Sequence, residues 1–474
     1  MVFSSLFFVY VFLTLQLFFY YRAKTINQRN IIMLIFSLVF YSWNGPKYLI
    51  LLLVMVFIGW FGAIELEKRP KYRKPILVAT IAGFLLILGY FKYAGFFAEI
   101  FNFLSPFDVT VPSIVLPIGI SFYTFQLLSY VVDVYRGDVE AQKKFSLLLL
   151  YASLFHQCIA GPIVRYQDVE YDITKRKLKK SELLEGVKRF CIGLAKKAII
   201  ANSVSVIADK YLILNDVTAL SSVPALGIWL GALAFAFQIY FDFSAYSDMA
   251  IGMGLMTGFH YKENFNHPYI ARSISEFWRR WHISLGTFFR DYVYIPLGGN
   301  REGNVYFNLF VVWFLTGMWH GASMNYIIWG LYFLIFIMLE KRFIGKALES
   351  APKILSWLYM MVIVVFGWVL FKFEDFGMMM TAIKGMFGLN GNGFMNAQIS
   401  IMVKNNIFLL IFAAFASTNF LRKIYVAVRR KAEDDDVART LVMGYDSFMP
   451  WVLLLLSTLA LIGNSYNPFL YFQF

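Results

Sequence analysis

Apolar residues in this chain run in long blocks instead of alternating with polar ones. Stretches near 2–21, 30–43, 47–66, 75–92, 113–134, 145–164, 222–257, 303–319, 323–340, 353–373, 401–421 and 449–468 carry very few charges. A helix needs roughly 20 apolar residues to cross a hydrocarbon core of about 30 Å, so the pattern predicts roughly ten to twelve membrane segments. The longest polar stretches, near 165–190 and 422–447, read as loops, and no repeat with a period of about 20 to 50 residues stands out. The expected fold is all-α: one polytopic membrane domain over residues 1–474, with 110–330 as its core and 331–474 as further spans and an external tail. Residues 1–21 have no basic start and no small-residue cleavage site, so they read as a retained first span.

Composition agrees, with 59% hydrophobic, 19% aromatic and only 15% charged residues. The net charge of +14 would suggest a nucleic-acid partner in a soluble domain, but here the basic residues cluster in short loops. The clusters at 68–74, 175–180 and 429–431 are expected on the cytoplasmic side, and no nucleic-acid partner is expected. Holding the basic segments after residues 21, 66, 164, 340 and 421 inside puts the N-terminus outside. Parity then fails once, because three apolar stretches (75–92, 113–134, 145–164) separate two cytoplasmic clusters. One of them must enter and leave by the same face, and irregular backbone at membrane depth implies a cavity. Pro117, Gly119, Gly161 and Pro162 mark break points. The segment 181–213 reads as a helix lying at the interface, with Lys188, Arg189, Lys196 and Lys197 snorkelling. Cys158 and Cys191 fit no metal or redox spacing and read as packing residues.

Two polar runs interrupt the apolar body. Between 264 and 301, Ser275, Glu276, Arg279, Arg280, His282, Ser284, Arg290 and Asp291 cannot all face lipid; they must line a cavity or pack at the cytoplasmic surface. Glu276 and Arg280 are spaced for a helical ion pair. Between 237 and 252, Gln238, Asp242, Ser244, Ser247 and Asp248 lie in an apolar span. Carboxylates there are functional candidates by default, or else partners of the arginines at 272–301. Of the five histidines, His282 and His320 sit in Trp-containing segments. A neutral imidazole in a low-dielectric site can take a proton near pH 7, which few side chains can do. No metal-ligand spacing appears, so no metal is expected.

Six blocks now carry a resemblance: LPIGISFYTFQLLSYVVDVYRG (116–137), IAGPIVRY (159–166), FQIYFDFSAYSDMAIG (237–252), NFNHPYIARSISEFWRRWHISL (264–285), DYVYIPLGGNR (291–301) and GMWHGAS (317–323). In this order they resemble the membrane-bound O-acyltransferase family, in its alginate O-acetyltransferase branch. The resemblance implies a ring of helices with re-entrant segments around a central funnel. It implies His320 as the family's nearly invariant histidine, acting as general base, and His282 as the second active-site position. Trp278, Arg279, Arg280, Trp281, Trp319, Asp242, Asp248 and Gln238 become candidates for lining the funnel or binding the donor. The implied reaction takes an acetyl group from a cytoplasmic thioester, acetyl-CoA or another acyl donor, to an exported glycan in a bacterial plasma (inner) membrane. The thioester is a co-substrate, with no bound cofactor, and an extracytoplasmic SGNH-type acetyltransferase or esterase is the implied partner. D-alanyl transfer to teichoic acid and a non-catalytic acyl or glycan transporter are the alternatives.

Where relatives read Phe-Pro-Gln before the second block, this chain has Phe155-His156-Gln157, so His156 is expected to pack; His260 and His267 are expected to be structural. The run Phe469-Leu470-Tyr471-Phe472-Gln473-Phe474 resembles the terminal motif of the small peptide partner in teichoic-acid D-alanylation. That resemblance implies Tyr471 as an acyl acceptor, the alternative being an aromatic interfacial belt.

Overall fold

The computed structural model describes residues 1–43, 45–157, 161–463 and 469–470; these are helices and connecting loops, with no strand among them. They pack as two compact units, Met1–Phe190 with Tyr246–Glu263, and Cys191–Ala245 with Asn264–Phe474.

The first unit contains α1 (Leu13–Arg22), α2 (Ile26–Ser42), α3 (Pro46–Lys68), α4 (Arg73–Leu104), α5 (Ile120–Arg136), α6 (Phe145–Ser153) and α7 (Tyr166–Lys175). Local chemistry sets several boundaries. Thr25 and Gln28 form a reciprocal capping box that starts α2, and Pro46 opens α3 where its missing N–H costs nothing. The three stretches whose parity fails come out unequal. The first is part of the 32-residue α4. The second is non-helical up to Gly119 and becomes α5 only at Ile120. Among its described residues the third yields only the nine-residue α6, about 14 Å long at 1.5 Å per residue and too short to cross a bilayer as a helix.

Lys180–Ala195 (α8) continues through a π-helical turn, Lys196–Ala201, into α9 (Asn202–Tyr211). This corrects the interfacial reading of 181–213: the run is a 32-residue helix apolar enough to cross a membrane. Lys197 does not snorkel, because a carboxylate inside the protein answers its charge. Its Nζ lies 2.5 Å from Asp242 Oδ1, with both side chains 3% exposed.

The remaining helices are α10 (Ala225–Thr257), α11 (Ile274–Arg280), α12 (Ile283–Phe289), α13 (Val305–His320), α14 (Met324–Leu339), α15 (Lys353–Lys372), α16 (Ala397–Ala416), α17 (Phe420–Lys431) and α18 (Asp436–Ile462). Among the described residues, seven helical runs are long and apolar enough to cross a membrane. In the most apolar windows of α4, α16 and α18 only 17%, 11% and 17% of residues are buried within the protein. Apolar surface on that scale is not stable against water and is what a lipid-facing helix presents.

α13 and α14 form an antiparallel hairpin whose closeness depends on glycine. A Cβ added at Gly330 would lie 2.5 Å from the Trp313 carbonyl oxygen, and one at Gly317 would overlap the Tyr326 carbonyl. The residue after His320 is equally constrained, since a Cβ at Gly321 would enter the Tyr326 ring. Gly330→Ala should therefore lose about 1–3 kcal/mol by overpacking. Thermal unfolding of purified protein would check this, with Gly444→Ala, where the added methyl meets nothing within 4 Å, expected to leave stability unchanged or slightly raised.

Candidate active site

His320 is the last residue of α13, and Gly321 leaves it in extended conformation. The turn that follows is tied to the chain beyond α15. Ser323 Oγ donates to the Glu374 carbonyl at 3.2 Å, Tyr326 OH to Glu374 Oε1 at 3.2 Å, and Asn325 Nδ2 to the Phe373 carbonyl. Those bonds bring Trp368 and Phe371 of α15 beside the histidine. The imidazole, 8% exposed, meets Trp319, Trp329 and Phe371 edge-to-face at centroid distances of 5.0, 4.9 and 5.2 Å. Such contacts favour defined ring orientations and fix where the imidazole points. Trp368 is fixed in turn: its Nε1 donates to Tyr269 OH at 3.1 Å, and Tyr269 OH donates to the Ala236 carbonyl at 2.6 Å.

A small cavity of about 30 Å³ opens between His320 and these rings, also walled by Asp242, Phe243, Trp281 and Leu470. Asp242 brings a fully engaged carboxylate to this wall. One oxygen receives Lys197 and the other accepts the Leu470 backbone N–H at 2.8 Å. The Trp329 indole N–H, in contrast, is buried with no hydrogen-bond partner among the described residues.

His282 lies one ring away, with its edge on Phe243 at 4.7 Å and Trp319 at 5.8 Å. It links α11 to α12 with a left-handed backbone, φ 45°, a strained conformation for a non-glycine residue. Asn264, 1% exposed, holds it there. The Asn264 backbone carbonyl accepts from Ile283 N at 2.9 Å, and its Oδ1 accepts from Ser284 N at 3.0 Å and Ser284 Oγ at 2.9 Å. A backbone N–H can only donate, so the amide atom facing Ser284 N is oxygen. That oxygen also lies 3.3 Å from His282 Nδ1, and Ser284 Oγ lies 3.4 Å from the same nitrogen. Nε2 has no hydrogen-bond partner among the described residues.

α11 presents different chemistry on its two sides. Ser275, Glu276 and Arg279 line a second, polar cavity of about 760 Å³ with Arg272, Glu340 and Lys341. Glu340 is buried there and accepts from Ile274 N, Ser275 N and Ser275 Oγ at 2.5, 2.9 and 2.7 Å, capping the start of α11. Glu276 pairs with Arg280 at 2.8 Å, as its spacing predicts. Burial pushes its carboxyl up, but the Arg272 backbone N–H and the Arg280 guanidinium outweigh that and hold it below the usual glutamate range. Just past the helix, Trp281 stacks on Phe277 and turns to the aromatic cavity, while Trp278 packs edge-on against Trp313, Trp329 and Phe333.

A family model described as MBOAT, membrane-bound O-acyltransferase family, matches residues 144–383, about half of the chain. The chain belongs to this family. It is 38% identical to the probable alginate O-acetylase AlgI of Pseudomonas putida, and 37% identical to its namesake in Pseudomonas aeruginosa, over the whole of both proteins in each case. It is also 36% identical to the peptidoglycan O-acetyltransferase of Helicobacter pylori, over 75% of this chain and 73% of that one. The protein is thus a multi-pass membrane O-acyltransferase.

Within this acyltransferase, His320, Asp242 and Trp281 share one cavity. Trp319 and Trp278 pack around it, His282 lies behind Phe243, and Gln238 is buried one turn from Asp242 on α10. Arg279 belongs to the polar cavity and Arg280 to the ion pair with Glu276. Asp248 belongs to the first unit, where Arg189 reaches both it, at 2.8 Å, and Glu263, at 2.6 Å. The arginines of 272–301 are therefore not the partners found for Asp242 and Asp248: both ion pairs recruit the 180–211 run, whose basic residues the sequence pattern assigned to the interface. His156 is buried in the first unit with Nδ1 3.2 Å from Tyr261 OH, and His260 contacts Asp172 at 3.2 Å. Tyr471 lies outside the described residues.

Lys197, Asn264, Trp329 and Phe371 are site residues that sequence reasoning missed. Asn264 had a signal, since it opens the block that contains His282; the others make contacts that no local spacing encodes. Asn264→Ala removes the side-chain acceptor that Ser284 N and Ser284 Oγ share, and losing such bonds costs about 1–3 kcal/mol, so it should lower the unfolding temperature and acyl transfer together. Asn264→Asp keeps the acceptor and should restore most of both, as read by thermal unfolding and glycan O-acetyl content.

Proposed function

We propose that the protein moves an acetyl group from a cytoplasmic thioester, acetyl-CoA, to hydroxyl groups of an exported cell-surface polysaccharide, with His320 as general base. The observation that carries this reading is the placement of His320: a buried imidazole held by three aromatic rings at a cavity of small-group size. The imidazole takes the proton of the attacking hydroxyl as its oxygen bonds to the thioester carbonyl carbon. The resulting oxyanion collapses, the C–S bond breaks, and the departing thiolate recovers the proton. An ester and a free thiol result, and His320 is neutral again. His282 serves as the second imidazole that orients the donor.

Two further features support parts of this reading. Arg272, Arg279 and Lys341 line the polar cavity, with Glu276, Glu340 and Glu349 as the facing carboxylates, and the guanidinium and ammonium groups are the ones that would meet a phosphate-bearing donor. Leu470 lines the His320 cavity, and Tyr471 is the next residue along the chain. In the proposed relay the Tyr471 phenol accepts the acetyl group first. The phenol has a pKa of about 10, against about 8.5 for a thiol, so phenolate remains a good leaving group and the aryl ester stays activated for transfer to an alcohol. A glycan hydroxyl then attacks the tyrosyl ester and restores the phenol, with an extracytoplasmic SGNH-type protein completing delivery outside a bacterial inner membrane. The names of the relatives, alginate and peptidoglycan acetylating enzymes, support a glycan acceptor.

His320→Ala should lower surface-glycan O-acetyl content about 10²- to 10⁴-fold at matched protein abundance. Unchanged acetylation would remove His320 as the base, and full activity in His320→Gln would favour a carrier. For the relay, intact-mass and peptide analysis after incubation with acetyl donor should find acetyl on Tyr471, and Tyr471→Phe should lose transfer. Absence of the adduct with full Tyr471→Phe activity would exclude it.

A further inference from the structure

We infer that the Lys197–Asp242 ion pair is a latch that holds residues 469–470 against the wall of the His320 cavity, making Lys197 and Asp242 positioning residues for acyl transfer. The inference deepens the relay reading and rests on it for its chemical purpose.

The Asp242 carboxylate divides its two oxygens between two tasks. Oδ1 receives the Lys197 ammonium at 2.5 Å, which neutralises the charge. Oδ2 receives the Leu470 backbone N–H at 2.8 Å, from a residue 228 positions away in the chain. Lys197 adds a second point of hold, because its Nζ stands 4.8 Å from the centroid of the Phe469 ring, within cation–π range. The pair therefore grips two consecutive residues, one by its backbone and one by its ring. Leu470 and Asp242 line the same cavity as His320, so the gripped segment forms part of the cavity wall.

Stability alone is a poor reason for this arrangement. A fully buried ion pair is often replaceable by apolar residues of similar volume without loss, whereas removing one partner leaves a buried charge unanswered. The grip on residues 469–470 is the task that apolar substitutes would not perform. A backbone N–H bond also fixes the position of the chain whatever side chain residue 470 carries, which is what seating a neighbouring reactive group requires.

The double substitution Lys197→Met/Asp242→Leu in the full-length protein, reconstituted in lipid nanodiscs, tests this without leaving a lone charge. Thermal unfolding should stay near wild type. Hydrogen exchange at the Leu470 amide should become about 10- to 100-fold faster, the effect of losing a charge-assisted bond, and glycan O-acetylation in cells should fall at least about 10-fold. A chain lacking residues 469–474 should lose the same activity, and the double substitution in that background should add nothing further. Unchanged exchange at Leu470 would overturn the latch. Faster exchange with unchanged acetylation would overturn its positioning role, and independent, multiplying losses would show that the pair acts elsewhere. Should the variant not fold, Lys197→Met/Asp242→Asn provides a second reading without a lone charge, because it keeps an acceptor for Leu470: the amide is expected to retain protection that Lys197→Met/Asp242→Ala loses, and equal exchange in the two would overturn the latch. Failure of the relay reading would show separately, as full activity in Tyr471→Phe with no acetyl on Tyr471 in the wild-type protein.

Discussion

A lysine and an aspartate, each 3% exposed, face one another within a body made almost wholly of apolar side chains. Neither charge would be tolerated there alone, since an ion in low dielectric must be paired or wet. The same requirement recurs at several other charges that are buried or half-buried. Arg189 is answered by Asp248 and Glu263, the buried Lys372 by Asp209 at 2.9 Å, and Glu340 by the first N–H groups of α11. Because partners come from distant parts of the sequence, each pair also fixes which helices can lie together. Charge neutrality in a lipid-compatible body thus acts here as a packing rule, alongside the close approach at Gly317 and Gly330.

The site places two kinds of environment on either side of one short helix. Toward His320 the walls are aromatic rings held edge-to-face, a surface that excludes water and fixes an imidazole. Toward Arg279 the walls are charged and the volume is far larger. The segment Phe277-Trp278-Arg279-Arg280-Trp281 encodes that division directly, through which residues α11 turns to each side. On the proposed reading the two are complementary: a charged compartment for the bulk of a donor, and an aromatic one for the proton transfer.

Much of this was legible in sequence because the relevant signals are local. Long apolar blocks gave helices, the Glu276–Arg280 spacing gave an ion pair, and two histidines in Trp-containing segments pointed to residues that fold into one unit. The failures share one cause. Hydropathy records that 145–164 is apolar but not that, among its described residues, only Phe145–Ser153 is helical, and interleaved lysines in 181–213 look like an interfacial pattern until the partner is known. Asp242 lies 45 residues beyond Lys197, and no periodicity within either helix announces that the two will meet. Asn264 shows the intermediate case: the block was visible, but its grip on the left-handed backbone of His282 is a property of three dimensions.

The sparse burial of α4, α16 and α18 has a consequence for what folding means in this molecule. Most of their apolar surface never finds a protein neighbour, so the acyl chains around them complete the packing that a soluble protein would complete with its own side chains. The boundary of the folded object therefore lies outside the polypeptide. Its thermodynamic stability belongs to chain and bilayer together, and a change of lipid thickness acts on these helices as a mutation of their missing neighbours would.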